Sequence, residues 1–275
     1  MMIIKEEKNM VFKEMGKERL KADVYFPAEK GKYPGVILIH GGAWLQGYKE
    51  MYSEWAPYLA KQGYVTMAFD YRLSTPGIAA YPQAVHDVNS AIQFFVRHAE
   101  EWQIDRDNIV LIGDSAGAHL ATHTAIDSQS EPSYHIASTI GIYGVYDLPA
   151  WQRHTKLVRD NDPVHQFLGV SFDEKPELYK SASPYSKIKE LKEPFDTSFF
   201  IIWGDEDEVV PARQSEEFSV LLDQKGFDTQ TLIIPGKGHY WFNLFEGMEG
   251  GSLKDDPNPL VIPNIQHYLR MKLKN

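Results

Sequence analysis

Three features of this chain, taken together, have the makings of acyl-transfer chemistry. They are a serine between two glycines, a late histidine in a glycine-rich loop, and an acidic run between them. "IVLIGDSAGAHLA" (109–121) is an apolar run, then Gly113-Asp114-Ser115-Ala116-Gly117, then a small-residue helical stretch. A strand-to-helix turn this tight leaves little room for side chains two residues either side of the serine, and glycine meets that need. Such a turn lifts the hydroxyl to the head of the helix. The plainer reading is a glycine-lined turn with an N-capping serine. A serine hydroxyl alone is a weak nucleophile, so catalysis also demands a base and donors for the developing oxyanion.

A turn of this kind predicts the chain order serine, acid, histidine. Of the histidines that follow Ser115, His239 ends a strand-like run in "TLIIPGKGH", where an imidazole can swing over the edge of a sheet. His119 and His123 lie on the helix after the serine and suit packing; His267 falls in the last helical stretch. The acid is more open. "WGDEDEVVPARQ" (203–214) offers Asp207 first and Asp205 second, while Asp147 in "YGVYDL" is a third candidate. The same acidic run also fits a solvated turn or a cation site. A triad acid must be held by backbone and aimed at the imidazole Nδ1–H. Upstream, "VILIHGGAWLQG" ends an apolar run in His40, Gly41 and Gly42, followed by an exposed-looking Trp44. Beside a serine nucleophile, that bare backbone can present the N–H groups of Gly41 and Gly42, with Ala43 as a further donor. Ala116 adds one more from the helix start.

These residues need a frame. Short apolar runs recur at 64–69, 109–113, 137–144, 199–204 and 231–236, and suit strands buried on both faces of a parallel sheet. Between them lie helical patterns at 52–63, 80–102, 116–126, 212–226 and 262–273. The second places Ala84, Val88, Ala91, Ile92 and Phe95 on one stripe. The alternation predicts βαβ units in an α/β fold. "VFKEM" and "RLKADVYFP" alternate across a short turn and read as an antiparallel hairpin at the sheet edge. One domain over 1–275 fits, with 145–197 as an insertion, either a cap or a substrate loop.

Composition narrows the function classes. The 275 residues suffice for a substantial core. The absence of cysteine excludes a disulfide scaffold, a thiolate zinc site and a cysteine nucleophile. A formal charge of -10, spread along the chain, disfavours nucleic acid and anionic membrane surfaces as partners. The first residues lack the apolar centre of a secretory signal, so a cytoplasmic location is expected.

"HGGAW", "GDSAGAHLA", "WGDEDEVVP" and "GKGH", in this order, resemble the α/β-hydrolase superfamily, in the lipase/esterase branch whose oxyanion loop carries H-G-G. "KSASPYSKI" (180–188) also resembles a family segment preceding the acid-bearing strand. The likeness spans residues 18 to 272 and implies a mostly parallel eight-stranded sheet whose second strand is antiparallel. It further implies Ser115, Asp207 and His239 as triad, a bracing role for His40, and no metal or cofactor. The long N-terminal helical cap of larger relatives is expected to be absent. Trp44, Tyr146, Trp151 and Phe167, with Leu168 and Phe172 nearby, are candidates for the substrate wall. The expected activity is hydrolysis of small-molecule carboxylic esters of small to moderate acyl chain. Arylformamide hydrolysis, as in kynurenine formamidases, and feruloyl or acetyl carbohydrate esterase activity are the alternatives, with a non-catalytic binding protein behind them. Oligomeric state stays open, a homodimer included.

Overall fold

The computed structural model describes residues 2–16, 18–158, 162–243 and 250–273. Among them, strands β1 (Ile4–Met15), β2 (Glu18–Pro27), β3 (Tyr33–Ile39), β4 (Val65–Phe69), β5 (Ile104–Asp114), β6 (Ile136–Ile142), β7 (Ser198–Gly204) and β8 (Thr229–Ile234) form one sheet in the order β1-β2-β4-β3-β5-β6-β7-β8. β2 runs antiparallel to both its neighbours, and the pairs from β4 to β8 are parallel. This is the α/β-hydrolase arrangement, with an antiparallel second strand and β4 placed before β3 in the sheet.

The buried strands explain the runs of unbroken apolarity. In β3, Ile37 and Ile39 face one core while Val36 and Leu38 face the other; Ile109 and Leu111 against Val110 and Ile112 repeat the division in β5. A strand sandwiched between two helical layers has no polar face to show. One layer is α2 (Gln83–Arg97), α3 (Ala99–Trp102) and α4 (Ala116–Asp127). The whole expected stripe from Ala84 to Phe95 is buried there. The other layer is α1 (Trp55–Ala60), α9 (Arg213–Gln224) and α10 (Asn258–Lys272).

Two elements differ from the sequence pattern. The edge hairpin is present, but its first strand begins at Ile4, well before the "VFKEM" run, because "IKEEKNM" is charged and still extends along β2. An edge strand needs no apolar alternation to hold backbone hydrogen bonds, and charge on it discourages pairing with other chains. The segment between β6 and β7, which showed no clean periodicity, carries short helices α5 (Leu148–Val158), α6 (Pro163–Leu168), α7 (Pro176–Ser181) and α8 (Pro184–Glu190). Three of them start at proline, whose missing N–H costs nothing in a first turn.

β1 is pinned to the helical layer by a buried carboxylate. Asp87 of α2 accepts from Lys13 Nζ at 2.6 Å, and from Arg72 Nε and Nη2 at 2.8 and 2.7 Å. Burial alone would raise its pKa, but the hydrogen bonds from Arg72 and Lys13 outweigh it and hold the carboxyl below the usual range. A depressed folded pKa stabilises above the unfolded value, near pH 4 for Asp, and the benefit is lost as pH falls through the lower folded value. Asp87→Asn is expected to cost about 3 kcal/mol at pH 7 in urea unfolding. The gap from wild type should narrow as the pH drops below about 4.

Candidate active site

The end of β5 runs directly into α4 at Ser115, whose backbone sits at φ 51°, ψ -118°. A non-glycine residue in that region is strained and is held only by what surrounds it. A Cβ on Gly117 would lie 1.9 Å from the Ile39 carbonyl oxygen, and one on Gly113 would lie 2.3 Å from that of Gly117. Both neighbours are backbone and cannot yield. Gly117 is therefore required by the close approach of α4 to the end of β3, and Gly113 by the tight turn of β5 into α4. Ser115 donates its N–H to Ile142 O at 2.9 Å, and its side chain makes no capping hydrogen bond. The N-cap reading of this serine is therefore not what the helix uses.

His239 follows β8, and its side chain is almost wholly shielded from solvent. Its Nδ1 lies 2.6 Å from Asp207 Oδ2. A carboxylate acceptor places the proton of this bond on Nδ1, and a neutral imidazole in that tautomer keeps its lone pair on Nε2. Nε2 is buried without a hydrogen-bond partner. The Ser115 hydroxyl is thus not bonded to it in this structure, a contact that free enzymes often tighten only with substrate bound. The two residues still share one rim. Tyr143, next to the Ile142 that holds Ser115, packs its ring 4.2 Å from the imidazole, and Tyr240 meets the imidazole edge-on at 4.6 Å.

Of the three candidate acids, Asp207 meets His239. Its Oδ1 accepts the N–H groups of Val209 and Val210, both at 2.9 Å, so the turn itself aims the other oxygen. Asp205 is exposed and accepts from Gly236 N–H, and Asp147 binds Ala150 N–H at the start of α5. Among the described residues, no group of His, Asp or Glu side chains is arranged to hold a metal ion. His119 is buried against Ala182 O, with burial pushing its pKa down to about 3, and His267 is exposed on α10.

The loop after β3 departs from expectation at one donor. Gly41 N–H is already given to Asp114 Oδ1 at 3.0 Å, so it does not face an incoming oxyanion. Gly42, at φ 107°, has the left-handed backbone that the turn requires, and a Cβ there would strike Gln46 O at 2.1 Å. Ala116 opens α4, where an N–H has no acceptor within the helix. His40 braces the loop. Its Nδ1 bonds Gly41 O, its ring stacks on Tyr71 at 4.3 Å, and burial pushes its pKa down to about 4, so it is neutral.

The expected substrate wall is corrected. Trp44, Tyr146, Trp151 and Phe167 are all buried, with at most 1% exposure. Trp44 stacks on Phe167 at 4.2 Å and meets Trp151 edge-on at 5.7 Å, joining the β3 loop to α5 and α6. Tyr146 lies in the opposite core, stacked on Phe218. Large aromatic faces gain most when wholly removed from water, and neighbouring rings remove them. Sequence pattern gave no sign of Tyr52 and Asn243, which donate to Asp114 Oδ1, or of Tyr143, which packs on His239; of this group only Asp114 lies inside a motif.

The chain is 28% identical over 89% of its length to a probable isoprenylcysteine alpha-carbonyl methylesterase, ICMEL1, of Arabidopsis thaliana, covering 53% of that protein. It is 29% identical over 79% of its length to esterase LipC of Mycobacterium tuberculosis, covering 55% of it. The chain thus spans about half the length of these curated relatives. Among solved structures, Thermogutta terrifontis esterase 2 phosphoramylated by tabun superposes with a TM-score of 0.76 at 22% identity, over 98% of this chain and 96% of that one. An inhibited esterase B from Lactobacillus rhamnosis gives 0.78 at 20% identity, over 98% and 87%. The BD-FAE family model matches residues 22–222, well over half of the sequence, and the chain belongs to the BD-FAE family of α/β-hydrolase fold.

Proposed function

We propose that this protein is a serine hydrolase of small-molecule carboxylic esters, working through Ser115, His239 and Asp207. The observation that carries the reading is the Asp207–His239 hydrogen bond, which leaves Nε2 buried and unpartnered in a chain that also holds Ser115 in a strained strand-to-helix turn. The names of the esterase relatives support the same chemistry.

In this mechanism Nε2 takes the Ser115 proton as Oγ attacks the ester carbonyl, and the imidazolium so formed is stabilised by Asp207. The oxyanion is held by the N–H groups of Gly42 and Ala116, aimed in advance so that no reorganisation is needed as charge develops. His239 returns the proton to the leaving alcohol. A water then repeats the sequence on the acyl-enzyme, with the same nitrogen as base. Tyr146, Trp151, Phe167 and Tyr179 are consumed in packing rather than in lining an open tunnel, which favours short to moderate acyl chains.

Ser115→Ala is expected to lower turnover of p-nitrophenyl acetate about a millionfold, and to abolish covalent labelling by a fluorophosphonate. Failure of the wild-type protein to label would overturn the reading in favour of a non-catalytic binding protein.

Asp207→Asn should lower kcat by about 10,000-fold, because an amide no longer holds the Nδ1–H tautomer. Asp205→Asn serves as the control and keeps near wild-type turnover; equal losses in the two would mean the wrong acid has been assigned.

Specificity constants should be larger for p-nitrophenyl acetate and butyrate than for the octanoate. N-formylkynurenine and methyl ferulate, run in the same panel, report on the arylformamidase and feruloyl esterase alternatives, and a clear preference for either displaces the simple-ester assignment.

A further inference from the structure

The carboxylate of Asp114 takes no part in the chemistry above, yet it immediately precedes the nucleophile and is only 4% exposed. Its Oδ1 accepts three hydrogen bonds from three separate parts of the chain. Gly41 N–H donates at 3.0 Å, the Tyr52 hydroxyl at 2.7 Å and Asn243 Nδ2 at 2.8 Å. Each donor belongs to a segment the reaction needs. Gly41 adjoins the proposed oxyanion donor Gly42, Tyr52 lies in the turn that follows that loop, and Asn243 is in the loop that carries His239. The fit is close as well as polar, since a Cβ on Gly41 would stand 2.4 Å from Asp114 Oδ2 and 3.0 Å from its backbone oxygen.

A buried carboxylate is an expensive way to fill space. Burial pushes this one up to about 6, against the pull of Tyr52, His239, Gly41 and Asn243. An apolar side chain of similar size would pack without that penalty. What the carboxylate oxygen offers instead is the ability to accept several donors at one point, so that the groups bearing them cannot drift apart.

We infer that Asp114 is a positioning residue: through Oδ1 it locks the oxyanion loop and the histidine loop in register with Ser115. This rests on the serine hydrolase reading, and it adds to that reading a single atom on which the relative placement of three catalytic segments converges. Catalytic geometry is sensitive at this scale, with a misplacement of about 1 Å able to cost on the order of 100-fold in rate.

The test uses the full chain with p-nitrophenyl acetate, measuring kcat and KM separately, the fraction of serine labelled by a fluorophosphonate, and the thermal midpoint. Asp114→Ala is expected to lower kcat about 100-fold while KM stays within about twofold. Asp114→Asn, whose amide oxygen can accept the same donors, should recover most of that loss. Tyr52→Phe keeps its ring in the core and removes one donor; a kcat loss of about tenfold at unchanged KM is expected. The double variant Asp114→Ala/Asn243→Ala should be no slower than Asp114→Ala alone, since both remove the same link. If Asp114→Ala does not fold, Tyr52→Phe and Asn243→Ala each carry the kcat test. The inference is overturned if the folded variants lose thermal midpoint but keep wild-type kcat. Multiplicative losses in the double variant, or an Asp114→Asn as slow as Asp114→Ala, would overturn it equally. Absence of labelling in the wild-type protein would instead strike at the serine hydrolase reading.

Discussion

Helix α4 begins in direct contact with the end of strand β3, and the site follows from that approach. The Cα of Gly117 packs where any side chain would strike the Ile39 carbonyl. Because the backbones meet without side chains between them, the head of α4, with Ser115 on it, stands next to the loop that leaves β3. The same approach holds Ser115 at φ 51°. That conformation is unfavourable by itself, and the two cores on either side of the sheet supply the rigidity that keeps it.

Several other polar groups at this rim are also held away from water. His40 is buried and neutral, Asp114 is buried, and His239 Nε2 has no partner. Each is tolerable because its neighbours are fixed by ordinary packing and hydrogen bonding. Tyr71 stacks on His40 and donates its hydroxyl to His40 O at 2.8 Å, while backbone N–H groups of the Val209–Val210 turn clamp Asp207. In a water-poor site such preset dipoles act more strongly on developing charge than solvent would. The orphaned imidazole nitrogen is the one unpaired acceptor in this set that the proposed reaction would use.

The segment between β6 and β7 is tied to the site through its packing. Trp151 donates Nε1–H to Val209 O, whose own N–H binds Asp207, and Trp151 and Phe167 close around Trp44. Trp44 lies in the left-handed region at φ 61°, as does Ala43 at φ 54°. Two such residues after Gly42 would relax if unsupported, and the ring stack is what opposes that. These aromatic side chains therefore brace the loop after β3 and the acid turn at once.

The sequence alone was sufficient for the alternation of strands and helices and for the tight turn at Ser115. Each of these is a local matter. Apolar runs such as "FFIIWG" report burial on both faces, and paired glycines report backbone crowding, whatever the rest of the chain does. Which acid meets His239 was decided only by the fold, because Asp205 and Asp207 differ by two positions in a turn and their directions depend on which N–H groups each captures. The loss of Gly41 as a free donor was likewise invisible, since it depends on Asp114, 73 positions away. Trp44, Trp151 and Phe167 have the composition of a pocket wall and the same composition as a core. Only their tertiary arrangement, ring against ring, determined that water is excluded from all three.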